Sequence, residues 1–456
     1  MRARVAEGIA VENATYVAAH PRCAELAAAG REHMPGGVPM SWMVKWPGPF
    51  SLHVAEAHGA HFVCADGIEH VDLCLGDTGA MCGHSPAPVV RAVREQVARG
   101  ITAMLPTADA AVVAAELTRR FGGARGAVRS WQLTLTATDA NRHVLRYARA
   151  ATGRDKVLVF DWCYHGTVDE AFATLEQGRD GTSRVVARRG NIGPPVDPAA
   201  TTVVVPFNDV AALAAALARR DVAAVLAEPA MTNIGIVLPE PGFHDALREL
   251  TRAHGTWLVL DETHTLCAGP GGAVGAWDLD PDAVVVGKTI GGGIPIGAFG
   301  MTEAFTRAAT VEVELEQVDV GGIGGTLAGN ALSLAAARAT LEEVLVEEAF
   351  GPMTALAARW TAGVQDVIDS AHLPWHVTQL GARAEYAFSP APPRDGAQAA
   401  AADDFELQQY LHLQAVTHGV LLTPFHNMAL MSPATSEADV DAHTEAFTQA
   451  AGFLTS

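Results

Sequence analysis

An α/β fold built on a mostly parallel sheet is the architecture this sequence predicts, and three observations point to it. From about residue 120 to 300, short apolar runs rich in β-branched residues alternate with alanine-rich helical stretches, the pattern of βαβ units. The helical stretches are long enough to cross back over a sheet face. Several of the apolar runs also end directly on residues that carry chemistry, as strands do at the ligand-binding lip of an open α/β sheet.

Residues 157–160, 203–205, 222–227, 257–260 and 283–286 read as buried strands, being short and continuously apolar. Residues 210–220 and 244–253 read as crossover helices. The flanks differ in character. A helical stretch and then the Pro/Gly-rich segment 34–39 open the chain; a long helical pattern runs from 331 toward 369, and a Pro/Ala/Asp-rich loop covers 390–404. The expected organisation is a large domain over 66–330 and a smaller α+β domain assembled from 1–65 and 331–456.

The net charge of −20, with no basic stripe, argues against nucleic acid or an anionic membrane as partner. Six cysteines form no CxxC pair, so no metal site and no disulfide framework are expected, and reduced thiols in a cytoplasmic protein are. Glu7 and Glu12 interrupt the N-terminal stretch, and no later run reaches the roughly 18 apolar residues of a membrane span.

Lys288 is one of only three lysines, and it follows the run Val284-Val285-Val286-Gly287. Positive charge elsewhere is carried by arginine, so a lysine at a strand end suggests an amine that must lose its proton, which arginine does not do. Desolvated there, it becomes a nucleophile toward carbonyls, pyridoxal phosphate included. A lysine that merely follows a strand is the plain alternative. Asp261, Tyr164 and Glu228 sit at or just beyond three other predicted strand ends, so one lip gathers carboxylates, a lysine and an aromatic ring. The stretch from Leu133 to Asn141 enters a helix whose free N–H groups, with Thr136 and Thr138, suit a phosphate; a simple Thr/Asp cap explains the same residues, and Asp139 brings a competing charge. A lysine for the aldehyde, a carboxylate for the pyridine nitrogen, a ring to stack on and a phosphate cup are what pyridoxal phosphate needs.

Leu258-Val259-Leu260-Asp261-Glu262, with Val284-Val285-Val286-Gly287-Lys288, resembles the signature of class III (omega-type) aminotransferases, pyridoxal phosphate enzymes of fold type I. Thr136-Ala137-Thr138-Asp139-Ala140 stands where that family has Ser-Gly-Thr-Glu-Ala, Tyr164-His165-Gly166 matches its stacking segment, and Gly325-Thr326 resembles the stretch that reaches the neighbouring subunit's phosphate. The resemblance implies that Lys288 holds the cofactor as a Schiff base and shuttles the proton. Asp261 would pair with the pyridine nitrogen, and Ala137 and Thr138 would bind phosphate. Tyr164 and Thr263 would flank the ring, His264 would lie near the phenolic oxygen, and Thr326 would come from a second subunit of a homodimer with a shared site. Two positions depart from the family: Thr263 replaces Val or Ile, and His264 replaces Gln or Met.

Glutamate-1-semialdehyde aminomutases share the Pro-Gly-Gly-Val opening at 35–38 but follow it with a carboxylate-gripping arginine; here Trp42, Met43 and Lys45 follow, with Met43 at the arginine's place. A Trp/Met wall suggests an apolar substrate arm and argues against the aminomutase, or is an ordinary hydrophobic loop. Arg383 stands where related enzymes keep a carboxylate-binding arginine; a surface pair with Glu385 is the alternative. The expected activity is ping-pong transamination between an amine or β-amino acid and pyruvate or 2-oxoglutarate. An aminomutase, a racemase or decarboxylase, and a non-catalytic cofactor-binding relative are the alternatives.

Overall fold

Seven strands form the central sheet, in the order Val128–Thr134, Gly297–Thr302, Ala283–Val286, Trp257–Asp261, Val222–Ala227, Lys156–Phe160, Thr202–Val205. Six run in the same direction, and Gly297–Thr302 alone is antiparallel to its neighbours. All five strands expected from the sequence are present within a residue of their predicted ends. The structure is a computed structural model describing residues 2–122, 127–178, 181–313 and 325–456.

Two compact units divide the chain: one holds 1–86, 348–392 and 402–456, the other 87–347 and 393–401. The seven-stranded sheet belongs to the second. Its breaks thus fall at 86 and 347, where the sequence suggested 65 and 330. The shift at the first break has a physical reason: the antiparallel hairpins of Val54–His58, His61–Cys64 and Glu69–Asp72 pair with Val420–Leu421 in one sheet, which keeps them with the first unit. That unit also carries a three-stranded antiparallel sheet, His376–Leu380, Arg383–Ala387 and Met428–Leu430. Among the described residues no helix is long and apolar enough to cross a membrane.

Two strands of the central sheet have little sequence signal. Gly297-Ala298-Phe299-Gly300-Met301-Thr302 contains two glycines, which disfavour strands. Both are required by close approach: a Cβ on Gly297 would lie 2.5 Å from the carbonyl of Thr136, and one on Gly300 would lie 2.7 Å from the Trp131 ring. The strand thus brings the chain directly against the turn that starts helix Ala137–Thr152.

The long helical pattern after 331 is broken in the structure. Helix Ala331–Ala339 ends in a π-turn over Thr340–Val344, closed by Leu345 N–H on Thr340 O at 2.9 Å, before helix Glu347–Ser370 begins. Arg120 explains how this break is held. Its buried guanidinium donates to Leu341 O (2.6 Å), Leu345 O (2.9 Å), Pro270 O (3.2 Å) and Glu116 Oε1 (2.7 Å). One side chain therefore ties helix Ala108–Phe121 to the interrupted helix and to the loop beyond the Asp261 strand.

Replacing Arg120 with Ala strands the buried Leu341 and Leu345 carbonyls, while Glu116 keeps its pairing with Arg119, so a loss of about 1–3 kcal/mol for each stranded carbonyl is expected, read from urea unfolding midpoints. Arg120→Lys, a point donor without the planar fork, should recover only part of it.

Candidate active site

Parallel pairing fixes which residues meet at the sheet's lip. Asp261 lies opposite Val285 in the register of the two central strands. Three residues further along each chain, His264 and Lys288 come side by side, and Lys288 Nζ sits 2.9 Å from His264 Nε2. Both side chains are half-buried. Lys288 has a φ of +46°, the left-handed region. A non-glycine residue held there costs about 1–3 kcal/mol and persists only where surrounding structure imposes it.

Asp261 is 4% exposed and its carboxylate is held on both oxygens. Oδ2 accepts from Asn141 Nδ2 (2.8 Å) and from His165 Nδ1 (3.0 Å). Oδ1 accepts from the Thr263 amide (3.0 Å) and the Thr263 hydroxyl (2.6 Å). Burial alone would raise this carboxyl, but the His165 ring, the Thr263 hydroxyl and the Asn141 amide hold it below the usual carboxylate range. His165 moves the other way. Burial opposes its charged form, yet Cys163 and the Asp261 carboxylate beside it raise it to about 10. Both shifts favour the charged forms, with His165 Nδ1 and Asp261 Oδ2 3.0 Å apart.

Glu262, next in sequence, faces elsewhere. It accepts from the Thr265 hydroxyl and from the amides of Ala273 (3.1 Å) and Val274. Burial pushes its carboxyl up to about 7 against those donors. It anchors the turn after the strand to helix Gly272–Ala276, and Gly272, at φ +61°, is needed because a Cβ there would collide with the Glu262 carboxylate.

Helix Ala137–Thr152 aims its first turn at the same lip. Thr136 caps it, its hydroxyl accepting from the Asp139 amide at 3.1 Å while donating to Asp139 Oδ2 at 2.9 Å. The Ala137 and Thr138 amides, as first-turn groups, have no acceptor within the helix. Ala137 packs on the lysine turn, since a Cβ on Gly287 would fall 2.9 Å from its own Cβ. Thr138 Oγ1 accepts from the Thr167 amide at 3.3 Å, and a Cβ on Gly166 would lie 1.9 Å from that oxygen. The phosphate-cup candidates, the lysine turn and the 164–167 turn are thus in direct contact. Tyr164 is 37% exposed, and Thr326 is exposed in the turn before helix Ala331–Ala339.

Trp42, Met43 and Arg383 belong to the first unit. Trp42 stands edge-on to Phe425 (5.7 Å), which in turn adjoins His426 (5.0 Å). Arg383 is only 1% exposed; its Nη2 meets Glu385 Oε2 at 3.1 Å, and Glu385 Oε1 lies 3.3 Å from His426 Nδ1. The pairing with Glu385 exists, then, but in the interior and not on the surface. Burial opposes the Glu385 charge, and His426 and Arg383 together hold its carboxyl below the usual range. Met43 is half-buried, its carbonyl accepting from the Ser51 hydroxyl at 3.0 Å.

Asn141 and His165 are the residues that sequence reasoning passed over. Asn141 had a signal: it shares the buried stripe of its helix with Val144, Leu145 and Ala148, where a polar group needs a partner. His165 had none beyond its place after a strand.

The His165 and Asp261 shifts give a pH signature. Asp261 contributes stability above the ordinary carboxylate range and loses it in acid. His165, raised from 6.5 to about 10, contributes fully below 6.5 and loses its contribution as pH climbs toward 10. The stability gap between the parent and His165→Gln should be widest near pH 5 to 6 and narrow steadily toward pH 10 in urea unfolding; a gap constant to pH 10 would mean a neutral ring.

A family model described as Aminotransferase class-III matches residues 43–451. The glutamate-1-semialdehyde 2,1-aminomutase of Methanopyrus kandleri is 32% identical over 439 residues, 95% of this chain and 98% of that protein. A crystal structure of a glutamate-1-semialdehyde-aminomutase from Pseudomonas aeruginosa PAO1 is 47% identical with a TM-score of 0.95, covering 100% of this chain and 99% of that one. An omega-transaminase from Sphaerobacter thermophilus is 28% identical with a TM-score of 0.84, covering 94% and 97%. With the lysine, the buried carboxylate and the helix start meeting at one lip, and with similarity running the length of the sequence, this chain belongs to the class-III aminotransferase family, of fold type I.

Proposed function

We propose that this enzyme moves an amino group between neighbouring carbons of one small carbonyl compound, an aminomutase reaction on a substrate of the glutamate-1-semialdehyde class. Whole-length similarity to the Pseudomonas aeruginosa aminomutase, at 47% identity, carries this reading. The cofactor is pyridoxal 5′-phosphate. Bound, it supplies an aldehyde that condenses with amines and a ring that accepts the electrons released when a bond to the substrate carbon breaks.

The chain's own residues suit that group. Asp261 is a carboxylate kept ionised in the interior, as a protonated pyridine nitrogen requires, and among the described residues the buried Asn141 Oδ1 beside it has no partner. Lys288 offers its amine to the aldehyde and, once released, holds the proton that passes to and from the substrate carbon. Asn141, His165 and Thr263 keep the carboxylate in place. The Ala137 and Thr138 amides would cradle the phosphate, and Thr326 from the second subunit of a homodimer would complete the cup. Tyr164 would cover one face of the bound ring and Thr263 would border the other. The six cysteines are buried and form no disulfide among the described residues, which fits a cytoplasmic setting.

Transamination with a keto acid is the second reading, and Met43 favours it. An aminomutase of this class grips its substrate carboxylate with an arginine after Pro-Gly-Gly-Val, and this chain has none between Val38 and Phe50. Trp42, Met43 and Arg383 are the candidates for substrate recognition, to be tested by substituting each and comparing KM with kcat.

Enzyme in the pyridoxamine form, given glutamate-1-semialdehyde and no keto acid, should yield 5-amino-4-oxopentanoate over many turnovers. Product only when pyruvate or 2-oxoglutarate is supplied to an amine-charged enzyme would replace this reading with transamination. Lys288→Ala should abolish the visible Schiff-base absorbance and lower either turnover by at least about 10⁴-fold. Retained turnover would sink both readings.

A further inference from the structure

His264 Nε2 lies 2.9 Å from the amine of Lys288, and the sheet register dictates that the two meet. A proton must lie between Nζ and Nε2 for the 2.9 Å contact to form. Before Lys288 acts as a nucleophile or as a base, its ammonium has to give up a proton. At that distance the imidazole is an acceptor already in line, and histidine is the side chain whose charge changes in the range where such enzymes work. The Gln or Met that stands at this position in related enzymes has no comparable basicity.

We propose that His264 is the proton-relay partner of Lys288, taking a proton from the released ammonium and returning it when the amine is consumed. The step balances: an Nζ–H bond breaks, an Nε2–H bond forms, and the positive charge moves from the lysine to the ring. The inference rests on the pyridoxal phosphate reading of the site and assigns a further function within it. It explains why a titratable group replaces an amide or thioether there. It also fits the backbone at Lys288, whose φ of +46° fixes the direction in which the side chain leaves the turn.

Other ionisable groups share this lip. Asp261 and Glu262 lie on the same strand end, His165 is bonded to Asp261, and Asp139 sits at the start of helix Ala137–Thr152. Glu262 is tied up by Thr265 and the amides of Ala273 and Val274, and Asp139 by Thr136. The experiment must therefore assign its signal to His264 itself.

The three-lysine composition makes that direct. Protein labelled with lysine carrying carbon-13 at Cε gives three signals, and in the pyridoxamine-loaded holoenzyme the Lys288 amine is not engaged in a Schiff base. The Lys288 signal, identified by its loss in Lys288→Ala, should show a step between pH 5 and 8 that is missing in His264→Gln, with Lys45 and Lys156 unchanged. A Lys288 signal flat over that range, or an identical step in His264→Gln, overturns the proposal. Single-turnover conversion of the pyridoxal to the pyridoxamine form should slow by about 10²-fold in His264→Gln and His264→Leu alike, with the donor concentration for half-saturation kept within about twofold. Glutamine can hold the amine by a hydrogen bond but cannot take its proton, so a normal rate in His264→Gln reduces His264 to a spacer and overturns the relay. Schiff-base absorbance in both variants shows a folded, loaded site; its absence from the parent enzyme overturns the cofactor reading itself, a separate failure from that of the relay.

Discussion

A carboxylate at the bottom of a sheet lip, 4% exposed, sets the terms for everything around it. An isolated buried charge would take up a proton instead of staying ionised. Asp261 stays ionised because four donors converge on it from three separate segments: a helix, the turn after a strand, and its own strand end. Hydrogen bonds to a charged group contribute about 1.5–3 kcal/mol each, so the set is large enough to offset a several-kcal/mol desolvation penalty. Each donor comes from a segment that the others also touch through the carboxylate, and in that sense helix Ala137–Thr152, the 164–167 turn and the Asp261 strand are one construction.

The same construction explains the glycines. Gly166, Gly287 and Gly297 each lie where a Cβ would strike the start of helix Ala137–Thr152, at Thr138, Ala137 and Thr136 respectively. Three different chain segments therefore close on one helix terminus at backbone distance. A helix start presents unsatisfied amides and a partial positive charge, and packing backbone against it without side chains leaves the amides facing the lip. The lysine turn is one of those three segments. The distance from Lys288 to the helix start is fixed by the same contacts that fix the carboxylate, through Asn141 one helical turn further on.

Much of this was legible in the sequence, for reasons particular to each element. The five buried strands were visible because full burial on both faces makes parallel strands continuously apolar. Lys288 and Asp261 were visible because strand ends in such sheets carry chemistry. Strand Gly297–Thr302 was hidden because its glycines answer to a neighbour's backbone, which no local pattern records. The π-turn at 340–344 was hidden because Arg120, more than 200 residues away in sequence, supplies the donors that replace the missing helical bonds. The Thr263 hydroxyl turns to Asp261, an orientation set by the carboxylate's need for donors and invisible in a residue-by-residue match to a family pattern.

In either proposed reaction, whether the amino group stays on one molecule or passes to another would be decided away from Lys288. Both reactions begin with the same proton transfers at the same lysine and need the same ionised carboxylate. They part only after the first transfer, which turns the amino-aldehyde given to the pyridoxamine form into a diamine: if that diamine stays long enough to give up its other amino group to the enzyme, the result is a mutase, and if it leaves first, the enzyme needs a second compound to recharge it and the result is a transaminase. Residence scales tenfold with every 1.4 kcal/mol of binding, which is the size of one or two hydrogen bonds to a carboxylate. A single gripping side chain therefore separates the two outcomes, while a lip conserved in every atom would not. The absence of an arginine after Pro-Gly-Gly-Val is thus a difference of the right magnitude in a chain whose remaining sequence runs close to an aminomutase.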